Sequence, residues 1–192
     1  HWKVPGLADL RGLGLSSVRP SADCDYGYEE MLQLDYLAIF KSIDQRFPQR
    51  KKFVLGHSLG GQLAALFLSR HDFGIQGLIL MAACSVHPSG WTGWQYWRLR
   101  LVIPSFAAIS KILGYFPGDK IGFGGKAARQ HLLEWCGQGR SGRYEPAGTD
   151  FNYEAALAQL RLPTLAISIQ DDHLATPLAM KNLYGKFHPS AP

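Results

Sequence analysis

Cysteine is scarce and never paired. Cys24, Cys84 and Cys136 are the only three in 192 residues, far apart and without a C-x-x-C. This spacing excludes a disulfide framework and a recognisable zinc site. Buried thiols in a reducing compartment fit it, and the expected location is cytoplasmic. Long apolar runs are missing too: the best, LVIPSFAAIS from Leu101 to Ser110, is far too short to span a bilayer and carries a proline. Charge is not clustered. The net +5 is spread along the chain with no basic arm, so no nucleic-acid partner is expected. Gly122, Gly124 and Gly125 lack the G-x-G-x-x-G order after a strand and read as a turn. No nicotinamide, flavin, metal or phosphate site is expected.

What remains is ordinary globular composition, with 46% hydrophobic and 18% charged residues, enough for one domain with a sizeable core. Residue 1 is His, and HWKVPGLADLRG carries no charged-then-apolar leader. The chain therefore reads as a piece of a longer one, truncated at both ends.

Asp9 to Gly27 is rich in Gly, Ser, Pro and Asp and reads as a loop. From about Tyr28 to Phe47 apolar residues recur at helical spacing and Pro48 closes the run. KKFVLG (Lys51 to Gly56) is a short buried strand, Leu59 to His71 a helix with one apolar side, and Ile75 to Cys84 a second buried strand. The alternation points to an α/β architecture with a parallel sheet. It stops between Ser85 and about Asp150, a segment of short helical pieces without a convincing strand. It resumes with a strand from Leu162 to Gln170 and a helix from about Pro177 to Phe187. An insertion of roughly 65 residues is too long for a simple connection and is expected to pack as a lid. The expected units are core at 1–84, lid at 85–150 and core again at 151–192.

GHSLGG places Ser58 between Gly56 and Gly60–Gly61, where a strand gives way to a helix. Composition alone would give about 0.15 matches to G-x-S-x-G in this chain, so the strand–turn–helix context carries the weight. A serine hydroxyl is a weak nucleophile and needs exposure, a base and nearby donors. A tight turn lifts Oγ to the carboxyl end of the sheet and aims the Leu59 N–H at the oxygen that becomes negative. Gly56 and Gly60 are expected because side chains there would collide as strand and helix close. Asp172, after the strand TLAISIQ, is the expected acid, with Asp171 the alternative. The plainer readings are a structural turn at Ser58 and helix-capping carboxylates before Thr176–Pro177.

GHSLGG (Gly56 to Gly61), DLRGLGLS (Asp9 to Ser16) and QDDHLATP (Gln170 to Pro177) resemble, in order, three landmarks of the α/β-hydrolase superfamily. LGYFPGDKIGFGG (Leu113 to Gly125) and HLLEWC (His131 to Cys136) resemble a group of lid-bearing bacterial members described as esterase-, lysophospholipase- or serine-aminopeptidase-like. The resemblance implies a mostly parallel sheet flanked by helices, Ser58 as nucleophile, Leu59 as oxyanion donor, His57 as part of the elbow and Asp172 as orienting acid. It places the catalytic histidine beyond one more strand, in a G-H-F context absent here, and a second oxyanion donor before residue 1. His188 precedes that strand. His173 shapes the acid turn, and His71, His87 and His131 read as surface or lid residues. Residues 1–192 alone are expected to be unstable and inactive.

The expected activity of the parent protein is hydrolysis of a carboxylic ester, thioester or amide through an acyl-serine. A non-catalytic binding protein of the same fold, or an acyltransferase or peptidase using the same triad, is the alternative. The partner is a small acyl substrate. Trp91, Trp94 and Trp97, with Tyr96 and Phe106, are candidates for an apolar acyl wall, against ordinary lid packing. A further reading, ranked below these, sets WQYWRLRLVIPSF at a membrane interface with Arg98 and Arg100 near headgroups.

Overall fold

A computed structural model describes residues 6–189; the edges of the expected core units at 1–5 and 190–192 lie outside the described residues. Three parallel strands form the central sheet in the order β1 (Lys52–His57), β2 (Ile75–Met81) and β5 (Thr164–Ile167). Their register aligns His57 with Met81 and Met81 with Ile167, so all three carboxyl ends share one rim.

Helix α3 (Leu59–Arg70) crosses one face of this sheet. The sequence predicts one apolar side, but every residue from Gly61 to Leu68 is buried. The reason is a second layer. The chain over 28–46 packs on the outer side of α3, running through α1 (Tyr28–Glu30), a π-helical turn Met31–Tyr36 and α2 (Leu37–Arg46). Helix α7 (Tyr153–Leu157), which has no clear sequence signal, also lies against α3. A helix enclosed on both sides is apolar all round. The other face of the sheet is open among the described residues: Phe53, Leu55 and Leu165 are 62%, 57% and 57% exposed.

The loop DLRGLGLS folds on itself for reasons visible residue by residue. Asp9 accepts the Leu15 N–H at 2.8 Å, and Arg11 forms a forked pair with Asp35 on the π-helical turn, its closest contact 2.7 Å. Gly12 has φ +82° and is jammed against the Tyr26 hydroxyl, where a Cβ has no room.

The insertion contains a 3-10 turn (Pro88–Gly90), α4 (Gly93–Leu113), β3 (Tyr115–Pro117), α5 (Gly118–Ile121), β4 (Lys126–Ala128) and α6 (Arg129–Ser141). Two expectations are corrected. The segment does hold strands, since β3 and β4 pair antiparallel across the glycine turn; at three residues each they are too short to show a period. And α4 is one 21-residue helix that runs through Pro104. An interior proline leaves the carbonyl four residues back, here Arg100, without its helical bond. Both residues are exposed, so that carbonyl is not sealed from solvent.

Helix α6 is bolted to the core. Glu134, 9% exposed, accepts the Tyr28 N–H at 2.5 Å, the Ala147 N–H at 2.9 Å and the Gln130 amide at 3.0 Å. Burial raises its pKa, and these three donors pull the other way. Gln138 accepts from Val86 N–H and donates to Ser85 Oγ at 2.6 Å. Helix α4 packs on α6 through Ile103, Ala107 and Leu132. The insertion is thus two layers, with α6 against the core and α4 outside it. Helix α8 (Pro177–Tyr184), capped by Thr176 accepting the Ala179 N–H, follows the last strand.

Candidate active site

Ser58 stands between β1 and α3 with φ 50° and ψ −124°. A non-glycine residue in that region costs on the order of 1–3 kcal/mol and persists only where its surroundings enforce it. Here the Ser58 N–H donates to Met81 O at 3.0 Å, while Ser58 O accepts from Gly61 N at 3.1 Å and Gln62 N at 3.3 Å. Two other described non-glycine residues have positive φ, Ala82 at 46° and Asp171 at 62°. One follows β2 and the other follows β5. All three strained positions therefore sit past the carboxyl ends of the three parallel strands, the rim where open α/β sheets carry their chemistry.

The close approach of strand and helix has a cause different from the one expected at Gly60. A Cβ at Gly56 would strike the Gly61 backbone, 2.6 Å from its nitrogen. A Cβ at Gly61 would lie 2.5 Å from Ala83 Cβ and 2.9 Å from Gly56 O. A Cβ at Gly60 meets nothing within 4 Å. The tight pair is Gly56 with Gly61; Gly60 lines the cleft instead. Its carbonyl accepts the Tyr36 hydroxyl at 2.8 Å. Tyr36 reaches it from the π-helical turn, where the Leu37 N–H bonds back five residues to Leu32 O and widens the helix. No periodicity in the sequence signals that turn.

Leu59 is the first residue of α3, so its N–H has no partner within the helix and points out of the helix start, where the aligned peptide dipoles favour negative charge. Ser58 is exposed and borders a cleft of about 1580 Å³. This exceeds the roughly 300–1,000 Å³ of ordinary ligand pockets, because the cleft continues from Lys51 to His57 along an edge of β1 that no strand pairs among the described residues. Its insertion-side wall is aromatic, with Phe123 set edge-on to both Phe116 and Trp135. Phe106 stacks behind them, 4.6 Å from Phe116 and 5.1 Å from Phe123 between ring centres. His131 lines the same cleft between Tyr26 and Tyr28, and burial pushes its imidazole down to about 4.

The three tryptophans that were candidates for the acyl wall, against ordinary lid packing, do not border this cleft. Trp91 is buried against Ala175, Ala179 and Met180 and donates its indole N–H to His173 O at 2.9 Å. Trp94 and Trp97 are 72% and 61% exposed on α4 and do not border the cleft. The helical spacing that marks them as a face cannot say which way the face turns.

Asp172 accepts the Leu174 N–H at 2.8 Å and the Ala175 N–H at 3.1 Å through the same oxygen, Oδ1. The turn is held by Trp91 on His173 O and by the Cys84 thiol on Leu174 O at 3.7 Å. Burial pushes that thiol up to about 12, with the charge of Asp172 adding to it. Asp171 is exposed. Asp172 and Ser58 share a rim, and their strands flank β2, about 10 Å apart.

No described histidine ring is hydrogen-bonded to the Ser58 hydroxyl. His57 continues the open face of Phe53 and Leu55, four and two residues on in the same strand. His188 donates its N–H to Leu160 O and meets Arg161 at 2.6 Å, before the start of β5, at the opposite rim. His71 stacks on Phe67, and His87 caps the 3-10 turn. Among the described residues no group of three or more His, Cys, Asp or Glu converges as a metal site would.

The family model described as "Serine aminopeptidase, S33" matches residues 6–190. The chain belongs to this family of α/β hydrolases. Solved structures share the fold. A monoacylglycerol lipase from Paleococcus ferrophilus matches with a TM-score of 0.56 at 12% identity, over 93% of this chain and 67% of that one. An alpha/beta fold family hydrolase from Bacillus anthracis matches with a TM-score of 0.52 at 16% identity, over 96% and 70%. The chain thus spans about two thirds of the length of these relatives. The search of curated proteins found no match.

Proposed function

We propose that this chain supplies the nucleophile and the acid of a serine hydrolase acting on a carboxylic ester, thioester or amide. One observation carries the reading: Ser58 is held in a strained conformation at the mouth of a cleft, directly before the start of a buried helix. Strain of this kind is a cost unless the exposed hydroxyl is used.

In this reading Ser58 Oγ attacks the acyl carbon and its proton passes to an imidazole. The tetrahedral oxygen takes the Leu59 N–H, the leaving group departs with the proton, and water releases the acyl group by the same steps reversed. Asp172 spends Oδ1 on its own turn, which leaves Oδ2 to accept an imidazole N–H and fix the tautomer. The base is not among the described histidines near Ser58, so it is the member of the triad to be located in the full-length protein. The insertion at 85–150 serves as a lid, and Phe116, Phe123 and Trp135 form the apolar wall for the acyl group. Gly56, Gly60 and His57 complete the elbow.

The test is a fluorophosphonate probe on the full-length protein. Labelling that maps to Ser58 and disappears in Ser58→Ala supports the proposal. Labelling unaffected by that substitution, or none from a folded protein, favours a binding protein of the same fold.

A further inference from the structure

Helix α4 is apolar on two sides, and among the described residues only one of them is packed. Ile103 and Ala107 are buried against α6 and the β3–β4 hairpin. On the opposite side Trp94, Trp97, Leu101 and Ile112 are 72%, 61%, 66% and 81% exposed, with Pro104 and Ala108 also exposed. At about 100° per residue these six positions fall within one narrow stripe. The stripe runs the length of the 21-residue helix, about 30 Å.

Its borders are cationic. The same arithmetic puts Arg98 on one edge and Arg100 and Lys111 on the other, all exposed. No Asp or Glu occurs between Gly93 and Leu113. Arg100 leans on Tyr96, its guanidinium 5.8 Å from the ring centre, which keeps it along that edge. An apolar face on a monomer is ordinarily small and scattered; this one is continuous, holds two tryptophans and is framed by positive charge. No helix among the described residues is long and apolar enough to cross a membrane.

We propose that α4 is an interfacial helix that lies on an anionic lipid surface. Trp94, Trp97, Leu101 and Ile112 enter the boundary between headgroups and acyl chains, while Arg98, Arg100 and Lys111 meet lipid phosphates on either side. Tryptophan suits that depth because its ring is apolar and its N–H stays wet. A soluble protein partner matched to this face would need acidic groups along both edges of an apolar groove; a bilayer of anionic lipid supplies both features with no shape requirement. The inference does not depend on the chemistry of Ser58. The stripe is on the outer layer of the insertion, and the cleft lies beneath the inner layer.

The test uses full-length protein with vesicles of phosphatidylcholine alone or with about 30% phosphatidylglycerol. Co-sedimentation with the mixed vesicles at low salt is expected, falling about tenfold or more without the anionic lipid. Leu101→Glu and Trp94→Glu change exposed side chains, so far-UV circular dichroism stays as in the unaltered protein while vesicle binding is lost. A second readout needs no variant: lipids brominated near the headgroup quench the tryptophan fluorescence of the unaltered protein. Three results overturn the proposal. One is absence of both binding and quenching. Another is binding that Leu101→Glu and Trp94→Glu leave intact. The third is a lipid-independent dimer, by sedimentation equilibrium, that Leu101→Glu dissolves, since the face would then belong to a second copy.

Discussion

Alanine substitutions at Gly56, Gly60 and Gly61 in the full-length protein separate steric need from mere motif membership. A methyl at position 56 lies 2.6 Å from Gly61 N and 2.8 Å from Gly60 C. Carbon contacts are relaxed at about 3.5–4.0 Å, so strand and helix must part by roughly 1 Å. Both obstacles are backbone, which cannot rotate away. Overpacking costs about 1–3 kcal/mol, and Gly56→Ala belongs at the top of that range, about 3 kcal/mol. Gly61→Ala meets the Ala83 methyl, which is fixed to its own backbone, as well as Gly56 O, and is expected to cost about 2–3 kcal/mol. Gly60→Ala meets nothing and sits in the first turn of a helix, so it gains about 0.5–1 kcal/mol from the stiffer unfolded chain and helix propensity. Guanidinium unfolding with unchanged m-values measures all three. A displaced elbow also misaligns Ser58, so the labelling rate of folded Gly56→Ala falls, with displacements near 1 Å costing on the order of 100-fold. Equal destabilisation at positions 56 and 60, or a tolerated alanine at 56, refutes the packing argument.

Other outcomes follow from single contacts. Tyr36→Phe deletes the hydroxyl that bonds Gly60 O and is expected to cost about 1 kcal/mol of stability in the same unfolding assay, with slower probe labelling. Asp172→Asn keeps an oxygen for Leu174 and Ala175 N–H, so stability moves by less than about 1 kcal/mol, while labelling falls about a thousandfold or more. His131 is held near 4 in the fold against 6.5 when free, so the unfolded chain binds the proton first as pH drops. Stability is therefore lost as pH falls from about 6.5 towards 4, by about 2 kcal/mol once the ring's partial contact with water is allowed for. His131→Phe removes that part of the acid limb in unfolding midpoints measured at several pH values. Residues 1–192 alone expose Phe53, Leu55 and Leu165 and are expected to bind a hydrophobic dye strongly.

The strand–helix–strand alternation was legible because short apolar runs bounded by turn residues alternate with helically spaced apolar positions; the full enclosure of α3 and the open face of β1 and β5 were not, because they depend on which other elements pack there. The turn after Gly56 was legible because few physical needs other than close backbone approach and a raised hydroxyl put those residues in that order. What escaped is set by tertiary geometry. The π-helical turn that delivers Tyr36 rests on backbone bonds five residues back, such as Leu37 N–H to Leu32 O, and has no periodicity signature. The hairpin of β3 and β4 is too short to alternate. Gly60 and Gly61 are indistinguishable as letters, yet only one faces a wall. The outward turn of Trp94 and Trp97 depends on which side of α4 meets α6. The aromatic wall of Phe116, Phe123 and Trp135 is assembled from a hairpin and a helix with no shared spacing in the chain.

The proposed chemistry stands or falls with the Ser58 hydroxyl as a working nucleophile. Its most direct measurement is mass spectrometry of full-length protein after a fluorophosphonate, with the modified peptide sequenced. One adduct is expected, on Ser58 within GHSLGG, formed far faster than on any other serine and slowed about a thousandfold or more when Asp172 becomes asparagine. An adduct on another residue, or a folded protein that stays unmodified at Ser58, contradicts it.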